Sequence, residues 1–333
     1  MWFNCHILLL SAIFFTPASF DCGCNKAKRD TKDAVFTENE PSERLVDLIH
    51  HEMSSSEDFL AEMSLIPGGE YAIGTTTPVF ESDREHERHV SIQNFYLDKH
   101  LVTNADFLRF VEATGYETEA EKFGDSFVFK GFLSKTVQKT YHDFRVAAAP
   151  WWYKINDTNW RHPEGPETGI DAKMDHPVLH VSYRDAQAYC KWRNKRLPSE
   201  AEWEVACRGG KSKKLFPWGN KMMPRGEHWM NIWQGDFPEE NTADDGFYGT
   251  NPVTKFRQND FDLYDMVGNA WEWTSDLWKE REKNDPNPNR VRKGGSYLCH
   301  DSYCYRYRCA ARSPNTEDSS SGNLGFRCAK DFL

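Results

Sequence analysis

The sequence has 333 residues, a formal net charge of -10 and 14 % aromatic residues. That length buries a sizeable core, in one large domain or two ordinary ones. The acidic balance, with no Lys/Arg cluster interleaved with aromatics, excludes a nucleic-acid groove and an anionic membrane surface as partners.

Ile7 to Phe15 is the one long apolar run, followed by Pro17, Ala18 and Ser19. It reads as a signal peptide over residues 1–20. The run is shorter than the ~20 residues of a spanning helix, and no later segment is apolar enough to cross a bilayer. In an oxidising lumen thiols pair. Removing the leader discards Cys5 and leaves Cys22, Cys24, Cys190, Cys207, Cys299, Cys304, Cys309 and Cys328. This even set suits a disulfide framework, with on the order of a hundred pairings that spacing does not choose among.

Residues 21–60 read as a flexible extension, rich in Lys, Asp, Glu and Ser from Asn25 onward. Its head, Cys22-Gly23-Cys24, suits mixed disulfides with other proteins or a local pair. From residue 61 the pattern is globular, without internal repeats, so a single domain is expected over 61–333. Glu70–Ile73 and His89–Ile92 alternate as short strands. Thr103 with Asp106, Ser182 with Asp185, and Ser199 with Glu202 have capping-box spacing and mark three helix starts. Tyr303, Tyr305 and Tyr307 alternate with Cys304, Arg306 and Arg308, predicting a strand with one aromatic and one cationic face. The mean hydropathy of -0.75 and the frequent turn residues predict an α+β fold with little regular secondary structure.

Cys299 and Cys304 lie near Lys293, Arg306, Arg308 and Arg312, cations that favour thiolate. Spacing alone favours structural disulfides in a secreted chain. Zinc fits poorly, because only His300 stands nearby, whereas two thiolates suit Cu(I). Two loops, Asn241–Phe247 and Asp265–Glu272, are dense in the oxygens that calcium takes, though neither has EF-hand spacing and Asp-Gly also makes ordinary turns. Trp151-Trp152-Tyr153 and Asn159–Pro163 either line a groove for an extended peptide or pack inside. Asn156-Asp157-Thr158 is a glycosylation sequon.

The run Gly294-Gly295-Ser296-Tyr297-Leu298-Cys299-His300-Asp301-Ser302-Tyr303-Cys304-Tyr305-Arg306-Tyr307-Arg308-Cys309 resembles the signature of the formylglycine-generating enzyme, or sulfatase-modifying factor, family. Glu121–Phe127, Asn159–Pro166, Arg196-Leu197-Pro198, Val267–Trp273 and Asn323–Cys328 resemble it too, so the likeness covers the chain from residue 63 onward. It implies one domain resembling C-type lectin-like domains, stapled by disulfides and calcium. The implied activity is an oxidase that converts the cysteine of a Cys-x-Pro-x-Arg motif in newly made, unfolded sulfatases to Cα-formylglycine, thereby activating them. The implied cofactor is Cu(I) on Cys299 and Cys304, with molecular oxygen as co-substrate and a thiol reductant. Ser296 and His300 join the two cysteines as implied catalytic residues.

The resemblance further implies disulfides Cys190–Cys328 and Cys207–Cys309. One implied calcium site takes Asn231, Ile232, Asp245 and Phe247, the other Asp265, Gly268, Ala270 and Glu272; Asp265 stands where some members carry Asn. Cys22 and Cys24 resemble a cysteine pair that retains members through luminal thiol partners. Lys330-Asp331-Phe332-Leu333 differs by Phe332 from a retrieval signal. The expected location is therefore the endoplasmic reticulum lumen, with partial secretion. Two other readings stay open, a catalytically silent calcium-binding paralogue acting as a binding module and a metal-free thiol-disulfide oxidoreductase.

Overall fold

The computed structural model describes residues 27–28, 62–80 and 83–332. The expected signal peptide and the Cys22–Cys24 pair lie outside them. Within the extension, Ala27 is buried and Lys28 Nζ donates to Asn289 Oδ1 at 2.6 Å. At these two residues the chain lies against the domain.

The first half comprises β1 (Met63–Ile66), β2 (Gly69–Ile73), β3 (Arg88–Ile92), β4 (Phe95–Asp98), α1 (Asn104–Thr114), α2 (Glu119–Phe123), β5 (Asp125–Phe129), α3 (Lys135–Thr140), β6 (Arg145–Val146) and β7 (Ala149–Asn156). The second half comprises α4 (Tyr183–Trp192), α5 (Glu200–Arg208), β8 (Trp271–Leu277), β9 (Asn289–Lys293), β10 (Arg312–Thr316), β11 (Leu324–Gly325) and β12 (Ala329–Asp331). The strands form small sheets ordered β1-β4-β12, β10-β9-β8-β11, β2-β3 and β5-β7-β6. Both expected early strands form, with Tyr71 opposite Val90. Lys330 and Asp331 are paired to β4, so these two tail residues are sheet residues.

The expected helix starts carry full capping boxes at Thr103, Ser182 and Ser199, and Thr118 with Glu121 makes a fourth that opens α2. Each box satisfies two orphan N–H groups, which helps helices as short as α2 to form. The longer helices α1, α4 and α5 each contribute an apolar face to an aromatic interior. Phe107 on α1 meets Trp160 at 5.1 Å and Tyr189 of α4 at 5.9 Å between ring centroids. Trp152 and Trp160 are fully buried, so these two indoles are core; the groove reading of their stretch does not hold for them.

The structure forms the bridges Cys190–Cys328 and Cys207–Cys309, spanning 138 and 102 residues. Each ties a central helix to the C-terminal segment, with ~4–5 kcal/mol of chain-entropy stabilisation expected for such long loops. Residues 303–308 form no strand but an irregular run. The alternation misled because both faces are buried: Arg306 and Arg308 are 3 % and 1 % exposed, and Tyr307 is 1 % exposed. The cationic face meets carboxylates, not water.

Candidate functional site

Beyond β9 the chain turns through Gly294 and Gly295, both with positive φ. A Cβ on Gly295 would sit 3.0 Å from the Tyr307 backbone, so only glycine lets Ser296–Cys304 pack flat against the returning chain. This turn delivers Ser296, Cys299 and Cys304 into the interior, all fully buried.

The Sγ atoms of Cys299 and Cys304 are 2.8 Å apart, well beyond the ~2.05 Å of a disulfide. Backbone bonds hold them there. Cys304 N–H donates to His300 O at 2.7 Å, Cys299 N–H to Ser296 O at 2.9 Å, and Trp233 N–H to Cys299 O at 3.0 Å. Ser296 N–H points at Cys299 Sγ at 3.4 Å, with Ser296 Oγ 4.0 Å away. That hydroxyl oxygen accepts from Asn323 Nδ2 at 3.1 Å. His300 is partly exposed, its Nδ1 2.8 Å from Ser302 Oγ.

The cations expected to act on the thiols are instead committed to carboxylates. Arg306 pairs with Asp83 at 2.6 Å, Arg308 with Glu85 at 2.9 Å, Arg312 with Glu200 at 2.7 Å and Lys293 with Glu204 at 3.1 Å. Burial explains this, because an unpaired guanidinium in the interior is costly.

Aromatic rings pack on the run that carries the thiols. Tyr303 stacks on Phe237 with centroids 3.7 Å apart, and Trp151 packs edge-on against Phe237 at 5.2 Å. Phe129, Phe132, Pro163, Glu164, Lys173 and Tyr297 line a cleft. Of the aromatic stretch, half-buried Pro163 lines this cleft, while Trp151 packs on Phe237. Asn156 is exposed at the end of β7.

The Asp265–Glu272 loop meets Asn231, the first residue of the other implied calcium set. Gly268, with φ of +80°, has a Cβ position 2.4 Å from Asn231 O, and Asn269 N–H donates to that same carbonyl at 2.9 Å. Gly268 N–H also donates to Gly294 O, and Tyr297 N–H to Asn269 O, so the loop is bonded directly to the cysteine-bearing turn. In the first loop the Asp245 carboxylate accepts from Ile232 N–H at 3.1 Å, Gln234 Nε2 at 2.9 Å and Phe247 N–H at 2.9 Å. Asn231 keeps a buried Oδ1 with no donor.

In the second loop Asp265 is buried and its carboxyl is pushed up to about 7, chiefly by desolvation. Its Oδ1 has no donor. Glu272 takes Arg327 Nε and Nη2 and Trp203 Nε1, each at 2.8 Å. Among the described residues no three His, Cys, Asp or Glu side chains converge as a metal-binding group. Any cation here draws on amide and carbonyl oxygens, which calcium accepts, and buried oxygens without donors fit that need. Two adjacent buried sulfurs fit a soft monovalent ion. Sequence reasoning missed Asp83, Glu85 and Asn251, which are remote in sequence from the residues they hold and without a local motif, and it gave no role to Asn323, which opens the Asn323–Cys328 motif.

Comparison with known proteins agrees with this layout. The sulfatase-modifying factor enzyme 1-like domain model matches residues 50–332. The chain is 57 % identical to the formylglycine-generating enzyme of Mus musculus over 284 residues, covering 82 % of this chain and 76 % of that one. It is 45 % identical to the formylglycine-generating enzyme of Thermomonospora curvata, covering 84 % and 96 %. It is also 44 % identical to the inactive C-alpha-formylglycine-generating enzyme 2 of Bos taurus, covering 80 % and 87 %. PvdO from Pseudomonas aeruginosa shares the fold, with a TM-score of 0.57 at 21 % identity over 81 % of this chain and 94 % of that one. The chain belongs to the sulfatase-modifying factor enzyme 1-like domain family.

Proposed function

We propose that this chain activates sulfatases by oxidising the cysteine of a Cys-x-Pro-x-Arg motif in the unfolded substrate to Cα-formylglycine. Its nearer relatives include formylglycine-generating enzymes at 57 % identity. The observation that carries the reading is the Cys299–Cys304 pair, two buried sulfurs 2.8 Å apart in a rigid turn.

Taking a Cβ carbon from thiol to aldehyde level is a two-electron oxidation. With dioxygen as acceptor, a thiol reductant supplies the other two electrons; sulfur leaves as hydrogen sulfide and the second oxygen atom as water. Cu(I) on Cys299 and Cys304 would supply the redox chemistry that acid–base side chains lack. The protein's share is positioning. The Ser296 N–H and hydroxyl face Cys299 Sγ, and Asn323 fixes the hydroxyl's orientation. The sulfurs are fully buried, Tyr303 of the same run stacks on Phe237, and His300 between the two cysteines is partly exposed.

Calcium in the loops of Asn231, Ile232, Asp245 and Phe247 and of Asp265, Gly268, Ala270 and Glu272 would fix the turn that carries Ser296. The luminal location, the retention role of Cys22 and Cys24 and a glycan on Asn156 belong to the same reading.

A catalytically silent paralogue is the second reading, favoured by the 44 % identity to an inactive relative. The test is purified protein with copper, oxygen, a thiol reductant and a sulfatase-derived peptide, read by mass and hydrazide trapping. Aldehyde is expected. A peptide recovered unchanged would decide for the silent reading.

A further inference from the structure

Asn251 lies in Thr250-Asn251-Pro252, fully buried and outside both loops that carry the proposed calcium ligands. Its backbone is held on both sides by one side chain: Asn251 N–H donates to Asn269 Oδ1 at 3.1 Å, and its carbonyl accepts from Asn269 Nδ2 at 3.2 Å. Its own amide is oriented by what it donates. Asn251 Nδ2 gives one bond to Pro252 O at 2.7 Å and one to Asp265 Oδ2 at 3.2 Å. Both amide protons are thereby used, which identifies the remaining atom as the oxygen. That Oδ1 is buried and no donor reaches it.

Asp265 shows the same asymmetry. Its Oδ2 accepts from Asn251 and from Asn269, each at 3.2 Å, while its Oδ1 is buried without a donor. Two side chains hydrogen-bonded to each other therefore each bury one oxygen that no donor among the described residues satisfies, which is destabilising. A single cation bound by both would relieve both. The chemistry of that cation follows from the donors. One carboxylate oxygen, one amide oxygen and loop carbonyls form an irregular, all-oxygen set, which calcium tolerates and the stricter octahedral magnesium does not. Glu272 has three of its roughly four acceptor positions taken by Arg327 and Trp203, so the site lacks a second fully available carboxylate.

We propose that Asn251 Oδ1 is a ligand of the calcium ion held by the Asp265 loop. The inference rests on calcium binding there, and it adds a residue from outside that loop, which ties Asn251, Asn269 and the cysteine-bearing turn into one unit.

The test uses the full chain stripped with a chelator, with calcium titrated by calorimetry and terbium luminescence lifetimes in H2O and D2O counting coordinated waters. Asn251→Ala is expected to weaken calcium at one site at least about tenfold and to add about one water to bound terbium. Asn251→Asp, which keeps an oxygen, is expected to bind at least as tightly with the parent's water count. An unchanged water number in Asn251→Ala overturns the proposal, whatever the affinity, because an amide that only steadies Asp265 leaves coordination intact. If the alanine variant does not fold, weaker binding by Asn251→Asp overturns it instead. A parent protein that takes up no calcium ends the calcium reading itself, and that result is seen before any variant is made.

Discussion

Arg308 grips Glu85 through a two-pronged contact, Nη1 to Oε2 at 3.0 Å and Nη2 to Oε1 at 2.9 Å, between residues 223 apart in the chain and almost wholly buried. Arg306 and Asp83 repeat it two residues earlier on each side, at 2.6 and 3.1 Å. The segment between β2 and β3 is thereby bonded to the run joining Cys304 to Cys309. Removing one partner of such a pair leaves a buried charge uncompensated. Glu85→Gln should cost about 3–5 kcal/mol in urea unfolding, whereas replacing Glu239, the exposed partner of Lys130, should cost under about 1 kcal/mol. Equal small losses would show that the buried contact stabilises no more than a surface one.

Cys299→Ser and Cys304→Ser should each remove aldehyde formation on the peptide and Cu(I) uptake, because a hydroxyl does not replace a soft thiolate. Both should keep near-parent melting temperatures, since the two disulfides lie elsewhere. Full activity in either variant would sink the paired-thiolate assignment.

Calcium removal should act first on stability. An ion at one hundred times its Kd contributes about 2.7 kcal/mol per site, so chelation should lower Tm by about 5–10 °C per site. Scanning fluorimetry with and without chelator measures this. A melting curve indifferent to chelator would speak against both loop sites.

Glu119 supplies a pH prediction. Burial, and then the neighbouring Asp185, raises its carboxyl from 4.5 to about 7. The folded chain therefore holds a proton that the unfolded chain has released, and stability falls as pH rises between about 4.5 and 7. In Glu119→Gln that part of the slope should vanish. Melting temperatures of both proteins across this range measure it; parallel profiles would remove Glu119 as the cause.

Helix starts were readable from sequence because a capping box is local: Ser199 and Glu202 satisfy the N–H groups of their own first turn. The loop character of residues 265–270 and the short strands at Glu70–Ile73 and His89–Ile92 were equally local, whereas Trp271 and Glu272, read as loop, begin β8. The long signature around Cys299 and Cys304 carried the family without any coordinates. The alternation from Tyr303 to Arg308 misled, because period two reports a strand only when one face meets solvent, and here carboxylates from residues 83 and 85 replace the solvent.

What sequence alone determined is thus the chemistry available: two thiols in a recognisable run, oxygen-rich loops and caps. Tertiary structure decided how it is used. It brought the Cys299 and Cys304 sulfurs to 2.8 Å, committed Arg306 and Arg308 to Asp83 and Glu85 rather than to the thiols, and set Asn251 against Asp265. The reason is burial. In the interior every charge and polar atom must find a partner, and those partners come from segments tens to hundreds of residues away, where local pattern carries no trace of them.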